Sequence, residues 1–414
     1  MDNTAFAQRV LADGWLPDPW LDGKPRLDPQ SLLLQAPHAA RLCHAAEAVA
    51  MACDALCRFV LTRPQLLTPL QLQPFQMALW LSSAPHWHGL ARADVFETTD
   101  GALQVCEMNC DTPSGIAEAL VLGRLSAHQP GMDANRTLMA RWVALLTRLT
   151  RKLRGPQQPL TCGILSPTEQ TEDLPMLLLW RQALEQAGWQ VAQGSPFNLQ
   201  PHRDGRVALF GVPCDVIVRH YKTDWWAERR PVWRDQEPFT DNQPLLRPLQ
   251  VLLAAQVRGA TVVVNPLGSI VPQNKRFFAL LWQHRQRLGQ PVQLAIERFV
   301  PFTTLLEAQD PAKLESEQTQ WVLKSDYGCE GDEVVVGAEV SAEAWRKALQ
   351  LAEPGRWIAQ RYFEPKRDAR GEQTNFGVYL LGGEASGILA RISNLATDRT
   401  ARMTAVRIVA QGTA

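Results

Sequence analysis

Four polar side chains stand as two alternating pairs in one short stretch, Arg92 with Asp94 and Glu107 with Asn109. Residues two apart in a β-strand point to the same face of a sheet, so a hairpin would gather all four on one surface. Carboxylate and amide oxygens are ligands that suit Mg²⁺. A guanidinium beside them could stabilise charge on a phosphoryl group during transfer. The alternative is a polar, solvated face of an exposed sheet.

The segment between the two pairs predicts the hairpin that this chemistry requires. Val95-Phe96 and Val105-Cys106 flank the step Asp100-Gly101. An Asp-Gly step between two apolar segments is a strong signal for two antiparallel strands joined by a tight turn.

A helix start is predicted directly after the hairpin. Asp111-Thr112-Pro113 places a proline at the first helical position, and the helix should run towards Leu122. The free N–H groups of such a helix start can bind an anion. An anion site beside oxygen ligands favours a functional surface over a solvated one.

A second segment of phosphate-binding character lies far downstream, between Trp321 and Val334. It predicts a strand that ends at Lys324, a turn that contains Gly328 and Gly331, and a returning strand. A lysine at a strand end can reach phosphates as a point charge. The glycines would let the backbone fold over phosphates and offer N–H donors. The Walker pattern GxxxxGK[ST] is absent, as is a GxGxxG before a helix.

The elements that must hold these segments indicate a mixed α/β (α+β) chain. Residues 1–80 predict helix, and a further helix is predicted from Asn135 to Lys152. Strands alternating with a helix then indicate a small parallel unit. Its predicted elements are the strands Thr161–Leu165, Gln190–Ala192, Val207–Phe210 and Val216–Val218 and the helix Leu177–Gly188. The tetrapeptide Arg219-His220-Tyr221-Lys222 follows the last of these strands, where side chains often line a site.

The last third of the chain is predicted to be rich in strands. A helix opens at Asn274 and runs through Leu288. The predicted strands are Thr261–Asn265, Trp321–Lys324, Glu333–Val336 and Trp357–Arg361, followed by a hairpin of Gly377–Leu381 and Gly387–Ser393.

Composition excludes several classes of partner. The formal net charge is +0, so no global field draws the chain to nucleic acid or to an anionic membrane. No apolar run is long enough for a spanning helix, and the first residues do not resemble a secretory signal. The eight cysteines form no CxxC pair, which fits reduced thiols and predicts a cytoplasmic protein.

Taken in order, these motifs resemble the circularly permuted ATP-grasp fold of the glutathionylspermidine synthase family. They span roughly residues 85–395 and comprise Arg92-x-Asp94, Glu107-x-Asn109-x-Asp111-Thr112-Pro113, Asn274-Lys275, Lys324-x₃-Gly328-x₂-Gly331, Gln360-Arg361-Tyr362-Phe363 and Arg391. The metal-binding strands precede the ATP-binding lysines, which reverses the ordinary ATP-grasp order. The implied regions are a helical N-terminal region (1–84), the metal-binding hairpin and helices of the ATP-grasp core (85–155), a pre-ATP-grasp-like parallel unit (156–258) and ATP-binding subdomains (259–414).

The resemblance also implies a role for each motif. Asp94, Glu107 and Asn109 would hold Mg²⁺, and Arg92 would contact the transferring phosphoryl group of ATP and stabilise the acyl phosphate. Lys275 and Lys324 would contact the ATP phosphates, and Gly328, Glu330 and Gly331 would belong to a flexible lid loop. Gln360, Arg361, Tyr362 and Phe363 would form the hinge strand at the adenine. Thr112 and Ser114 would meet the carboxylate substrate, and Arg391 would lie close to the phosphates or the metal.

The implied activity is an ATP- and Mg²⁺-dependent ligase that joins a small-molecule or peptide carboxylate to an amine through an acyl phosphate. Only about 90 residues precede the metal motif, so the amidase domain of the bifunctional family members is not expected. Nothing in the sequence fixes glutathione or spermidine as a substrate, or the oligomeric state. A non-catalytic ATP-binding protein of the same fold and a small-molecule kinase remain as alternatives.

Overall fold

A computed structural model describes residues 2–156, 159–167, 172–226, 230–238, 245–328 and 333–410 of the chain. The helices are α1 (Asn3–Asp13), α2 (Ala36–Leu61), α3 (Pro74–Leu81), α4 (Ile116–Leu125), α5 (Leu138–Arg154), α6 (Leu174–Gln186), α7 (Leu246–Val257), α8 (Ile270–Gln273), α9 (Arg276–His284), α10 (Gln290–Phe299), α11 (Pro311–Ser316) and α12 (Ala342–Leu351).

The strands are β1 (Trp20–Leu21), β2 (Lys24–Pro25), β3 (Leu32–Gln35), β4 (Leu90–Glu97), β5 (Leu103–Asn109), β6 (Met132–Asp133), β7 (Thr161–Leu165), β8 (Gln190–Gly194), β9 (Leu199–Pro201), β10 (Val207–Leu209), β11 (Val212–Cys214), β12 (Val216–Arg219), β13 (Val262–Val264), β14 (Thr303–Leu305), β15 (Trp321–Ser325), β16 (Val334–Val336), β17 (Trp357–Arg361), β18 (Gln373–Leu381), β19 (Glu384–Ser393), β20 (Arg402–Thr404) and β21 (Val406–Val409). In the part of the chain that the structure describes, no helix has the length and apolar character needed to cross a bilayer.

The central antiparallel sheet, with strand order β20-β19-β18-β4-β5, joins the two hairpins that the sequence predicts. Both hairpins are confirmed, and β18 pairs with β4 to make them one surface. Ala91, Ala93 and Val95 of β4 belong to the core that includes α2. Because side chains alternate along a strand, Arg92 and Asp94 lie on the opposite face.

A second antiparallel sheet, with order β14-β17-β15-β16, carries Lys324. The three predicted strands in this region are confirmed, and β15 lies between β16 and β17. Its outer face packs on α11 and α12 around three fully buried tryptophans, Trp321, Trp345 and Trp357. This separate core fixes β15 independently of the central sheet.

The parallel sheet has the order β13-β12-β7-β8, with α6 as the crossover between β7 and β8. The prediction that Val207–Phe210 continues this sheet is wrong, because β10 lies in a separate antiparallel sheet with β9 and β11. The turn Phe210-Gly211 has φ of 51° and 79°, and a two-residue turn with both φ positive returns the chain antiparallel.

The strand predicted at Thr261–Asn265 forms as β13, which pairs in parallel with β12. The parallel sheet therefore crosses the boundary predicted at residue 258, because its edge strand comes from beyond that point. We propose a boundary after β13 instead.

The two ends of the chain meet in a small sheet of β3, β21 and β6. β21 pairs in parallel with β3 and antiparallel with β6, so the C-terminal strand lies in the middle. The N-terminal region is mainly helical, but residues 20–35 form three short strands where uniform helix was predicted. Hydrogen bonds to distant strands stabilise this extended segment.

Candidate functional site

One cavity of about 770 Å³ lies between the central sheet, the Lys324 sheet and the C-terminal edge of the parallel sheet. Most of the predicted site residues line it, namely Arg92, Asp94, Glu107, Asn109, Thr112, Ser114, Lys324, Gly328, Gln360, Tyr362, Phe363 and Arg391. Lys275 and Arg361 do not line it. Glu330 and Gly331 lie outside the described residues.

Asp94 is the most strongly paired carboxylate of the site. Arg92 Nε donates to its Oδ1 at 2.8 Å, and Arg391 Nη2 donates to its Oδ2 at 2.6 Å. Burial acts to raise the pKa of Asp94, but Arg391 and Arg92 together lower it to about 2. Asp94 is therefore ionised at neutral pH.

The Arg92 side chain passes close to Gly377 of β18, where the absence of a Cβ leaves room for it. Gly377 pairs with Asp94, and a Cβ at Gly377 would lie 2.8 Å from Arg92 Cδ. Arg92 Nη1 also donates to the carbonyl oxygen of Ser114 at 3.1 Å. Tyr379, opposite Arg92, donates its hydroxyl to the same carbonyl at 3.0 Å. The guanidinium thus joins the hairpin to the loop that follows it.

A β-bulge brings Glu107 opposite Asp94. The register shifts between Asp94 and Val95, which leaves Cys106 as an extra residue in β5. Asn109 Nδ2 lies 3.4 Å from Asp94 Oδ2, and Glu107 Oε2 lies 3.5 Å from Lys275 Nζ. The hairpin therefore gathers the three predicted oxygen-bearing side chains, and cationic side chains face two of them.

The chemistry of this donor set fits a small, hard cation. Asp94, Glu107 and Asn109 present oxygens from one face. On the neighbouring strand, the buried Oδ1 of Asn375 accepts no hydrogen bond from any described residue. Within the described ranges, no three His, Cys, Asp or Glu side chains form a metal-binding group. Bound Mg²⁺ would therefore depend on an amide oxygen and on ligands from a substrate.

The loop from Asp111 to Gly115 corrects the predicted helix start. Helix α4 begins at Ile116, after Gly115 with φ of 86°, and not at Pro113. The buried Asp111 side chain accepts from Arg219 Nη2 at 2.5 Å and from Ser269 Oγ and Thr223 Oγ1, each at 2.6 Å. These bonds anchor the loop to the edge of the parallel sheet and hold the residues before Gly115 out of a helix.

Lys324 is a buried cation that faces the hairpin. Its Nζ donates to the carbonyl oxygen of Cys106 on β5 at 3.3 Å. No carboxylate of the described chain lies within ion-pair distance of it, as none of the ion pairs includes Lys324. A buried ammonium without a carboxylate partner is costly, so this position indicates an anionic ligand.

Lys275 and Arg361, the two predicted ATP contacts that do not line the cavity, differ in their surroundings. Lys275 is buried, and its Nζ donates to the carbonyl oxygen of Gly328 and lies near Glu107. Arg361 points to the opposite face of β17 from Gln360, donates to Glu317 Oε2 at 3.0 Å and covers the Trp321 ring at 4.0 Å. The alternation of side chains along the strand separates Arg361 from the cavity.

Sequence reasoning missed several cavity residues. Asn375 and Asp173 carried no signal because each is an isolated polar residue that strand pairing or helix packing over a long range brings to the site. His220 had a signal, since it follows a strand of the parallel unit, but no partner was evident in the sequence.

The arrangement of the sheets defines the class of protein. A hairpin with oxygen-bearing side chains precedes, along the chain, the sheet that carries the lysine, and the two enclose one cavity beside a parallel unit. This is a circularly permuted ATP-grasp synthetase fold with a pre-ATP-grasp-like parallel unit. The chain matches the glutathionylspermidine synthase preATP-grasp family over residues 21–409 and belongs to that family. At family level, this places it with carboxylate–amine ligases.

Two solved structures are similar to this chain at low sequence identity. A glutathione synthetase-like effector from Globodera pallida, solved in its apo form, superposes with a TM-score of 0.60 at 10% identity, over 99% of this chain and 98% of that one. A candidate γ-glutamylcysteine synthetase from Methylobacillus flagellatus gives a TM-score of 0.46 at 12% identity, over 84% and 82%. No protein of curated function matches the chain in sequence.

Proposed function

We propose that this protein is an ATP- and Mg²⁺-dependent ligase that forms an amide from a carboxylate and an amine, and releases ADP. The observation that carries the proposal is the buried Lys324, which faces the oxygen ligands of the β4–β5 hairpin within one cavity. A buried cation and a set of carboxylates on facing walls suit a nucleotide phosphate chain with its metal ion.

The nucleotide would lie between the two antiparallel sheets. Lys324 would contact its phosphates, and Gln360, Tyr362 and Phe363 would meet its base. Lys275 does not line the cavity, but its Nζ lies 3.5 Å from Glu107, which does. The Phe363 ring packs on Phe96 of β4 with centroids 5.6 Å apart, so this end of the cavity is apolar. Mg²⁺ held by Asp94, Glu107 and Asn109 would neutralise phosphate charge.

The carboxylate substrate would bind at the loop after the hairpin. Thr112 and Ser114 line the cavity there, and Arg92 lies between this loop and Asp94. A carboxylate oxygen attacks the γ-phosphorus, and ADP leaves. Arg92 is fixed by Asp94 and by the Ser114 carbonyl, so it can stabilise the acyl phosphate without reorganising.

The amine then attacks the acyl carbon, the carbon–oxygen bond to phosphate breaks, and an amide and phosphate result. Activation of the carboxylate makes an enzyme nucleophile unnecessary. Cys106 lines the cavity, but burial raises the pKa of its thiol to about 11, so it is protonated and unreactive at neutral pH.

The test is ADP release by the purified chain with ATP, Mg²⁺ and a pool of amino acids, short peptides and amines. Mass spectrometry of the products should show an amide whose formation requires the amine. A stable phosphorylated product without amine would indicate a kinase instead. Nucleotide binding without turnover would indicate a non-catalytic protein.

Glu107→Gln should lower kcat by about 100-fold or more, because a charged metal ligand becomes neutral. The matched control is Glu97→Gln. Glu97 lies at the end of β4 and pairs with Lys366 at 3.2 Å, and it does not line the cavity. Equal activity of the two variants would contradict the metal assignment.

A further inference from the structure

His220 lines the cavity at the C-terminal end of β12. Its backbone N–H donates to Leu165 at the end of β7, and its ring lies edge-on to Trp180 with centroids 5.9 Å apart. His220 Nε2 and Asp173 Oδ2 are 2.8 Å apart. Strand, helix and carboxylate therefore fix both the position and the orientation of this imidazole.

The free nitrogen of this ring is open to the cavity. A carboxylate only accepts hydrogen bonds, so Nε2 carries the proton and Nδ1 of the neutral ring has a free lone pair. Within the described ranges Nδ1 makes no hydrogen bond. It is also not one of the buried polar atoms that lack both a hydrogen-bond partner and contact with solvent. Burial acts to raise the pKa of Asp173, but His220 lowers it below its usual range, with further lowering by Arg26 and Arg92.

The pair lies next to the position of acyl transfer. Asp173 and His220 line the same cavity as Arg92 and Ser114, which are proposed to meet the acyl phosphate and the carboxylate substrate. The charged groups around this end of the cavity come from five segments and are Arg26, Arg92, Glu118, Glu172, Lys222 and Asp224. Arg26 pairs with Glu118 at 3.2 Å and with Glu172 at 3.3 Å, which leaves the His220–Asp173 pair as a separate unit.

We infer that His220 is the base that accepts the proton of the amine, and that Asp173 is its positioning residue. This role rests on the proposed ligase function. As the amine nitrogen bonds to the acyl carbon, the carbon–oxygen bond to phosphate breaks and the nitrogen loses one proton to Nδ1. The proton then leaves to solvent, and Asp173 stabilises the transient imidazolium.

The chemistry of the amine explains why a base is required. An alkylammonium has a pKa of about 10.4, so the nucleophile is its minor free-amine form, whose first proton has already gone to solvent. When the amine nitrogen bonds to the acyl carbon it becomes positively charged and much more acidic, and a neutral imidazole within reach can accept its second proton. Hydroxylamine is far less basic and is unprotonated at neutral pH, so it should attack an acyl phosphate without such help.

The experiment compares two nucleophiles in His220→Gln, with the same pool of amino acids and short peptides as carboxylates. With a primary alkylamine, kcat should fall by about 10²–10⁴-fold. With hydroxylamine, hydroxamate formation should stay near the wild-type rate. The matched control is His202→Gln, because His202 also pairs with an aspartate, Asp204 at 2.8 Å, but outside the cavity.

Two outcomes would contradict the proposals, and a second variant covers a failure to fold. Equal loss with both nucleophiles in His220→Gln would show a structural role and overturn the inference. Wild-type protein that forms no hydroxamate would refute the ligase function itself. Asp173→Asn provides a second variant if His220→Gln fails to fold, and it should show the same selective loss of the alkylamine reaction.

Discussion

At the residue scale, Asp94 stands between two guanidiniums while also belonging to the proposed metal site. Arg92 and Arg391 hold its carboxylate from two sides, so the carboxylate is charged and oriented before any ligand binds. Preorganised charge of this kind favours catalysis because little rearrangement is left for the reaction. Through the same two ion pairs, Asp94 also contributes to the stability of the fold.

That contribution should depend on pH. The pKa of Asp94 is lowered to about 2 in the folded protein, against about 3.9 for a free aspartate. A carboxylate whose pKa is lower in the folded than in the unfolded protein stabilises the fold at pH values above the unfolded pKa. This stabilisation is lost as the pH falls through the folded pKa, so the loss should occur between about pH 4 and pH 2. The full contribution is about 2–3 kcal/mol, and roughly half should be lost at pH 3.

The measurement is urea unfolding of wild type and Asp94→Asn at pH 6 and pH 3. The difference between their free energies of unfolding should shrink at the lower pH. A difference that does not change with pH would show that the two arginines do not hold the carboxylate charged.

At the element scale, the loop between β5 and α4 depends on a partner element more than 100 residues away. Asp111 accepts hydrogen bonds from Arg219, Thr223 and Ser269. These three residues lie at the ends of parallel strands or just beyond them. Burial acts to raise the pKa of Asp111, but Arg219 lowers it below its usual range. The loop that carries Thr112 and Ser114 is thereby attached to the parallel sheet.

Asp111→Asn should destabilise the protein by about 3–5 kcal/mol, because Arg219, with 0% of its side chain exposed, would lose its charged partner. The control is Asp54→Asn on α2, whose pair with Arg58 is exposed and should contribute less than about 1 kcal/mol. Chemical denaturation monitored by circular dichroism measures both. Similar small losses in the two variants would contradict the anchoring role.

The same loop shows where prediction from sequence succeeds and fails. The β4–β5 hairpin was predictable because its signal, Asp100-Gly101 between apolar segments, is local. The start of α4 was not, because tertiary contacts of Asp111 override the local preference of Pro113 for a helix start. The candidate site followed the same division. Its alternating pairs were visible, whereas Asn375 and Asp173 reach the cavity only through distant strand pairing and helix packing.

At the scale of the whole molecule, the two ends of the chain, the central sheet and the Lys324 sheet meet around one cavity. β21 lies between β3 and β6, and β4 of the N-terminal half pairs with β18 of the C-terminal half. Pairings over such separations leave no local pattern in a sequence, which is why the sheet of β3, β21 and β6 was not predicted. Because the cavity walls come from separate sheets, a ligand that bridges them should stabilise the entire fold.

Lys324 provides the test of that coupling. It joins the Lys324 sheet to β5 through the Cys106 carbonyl, and within the described chain it has no ion-pair partner. A non-hydrolysable ATP analogue with Mg²⁺ at about 100 times its Kd should stabilise wild type by about 2.7 kcal/mol. Lys324→Met keeps the side-chain volume, so the ligand-free stability should change by less than about 1.5 kcal/mol.

Most of the nucleotide-dependent stabilisation should nevertheless be lost in Lys324→Met, because the phosphates lose a buried cation. Chemical denaturation with and without the analogue separates the two effects in one protein. Lys313→Met, on the exposed face of α11, is the matched control and should keep the wild-type response. If Lys324→Met also keeps that response, the phosphates do not lie against β15, and the nucleotide must be placed elsewhere in the cavity.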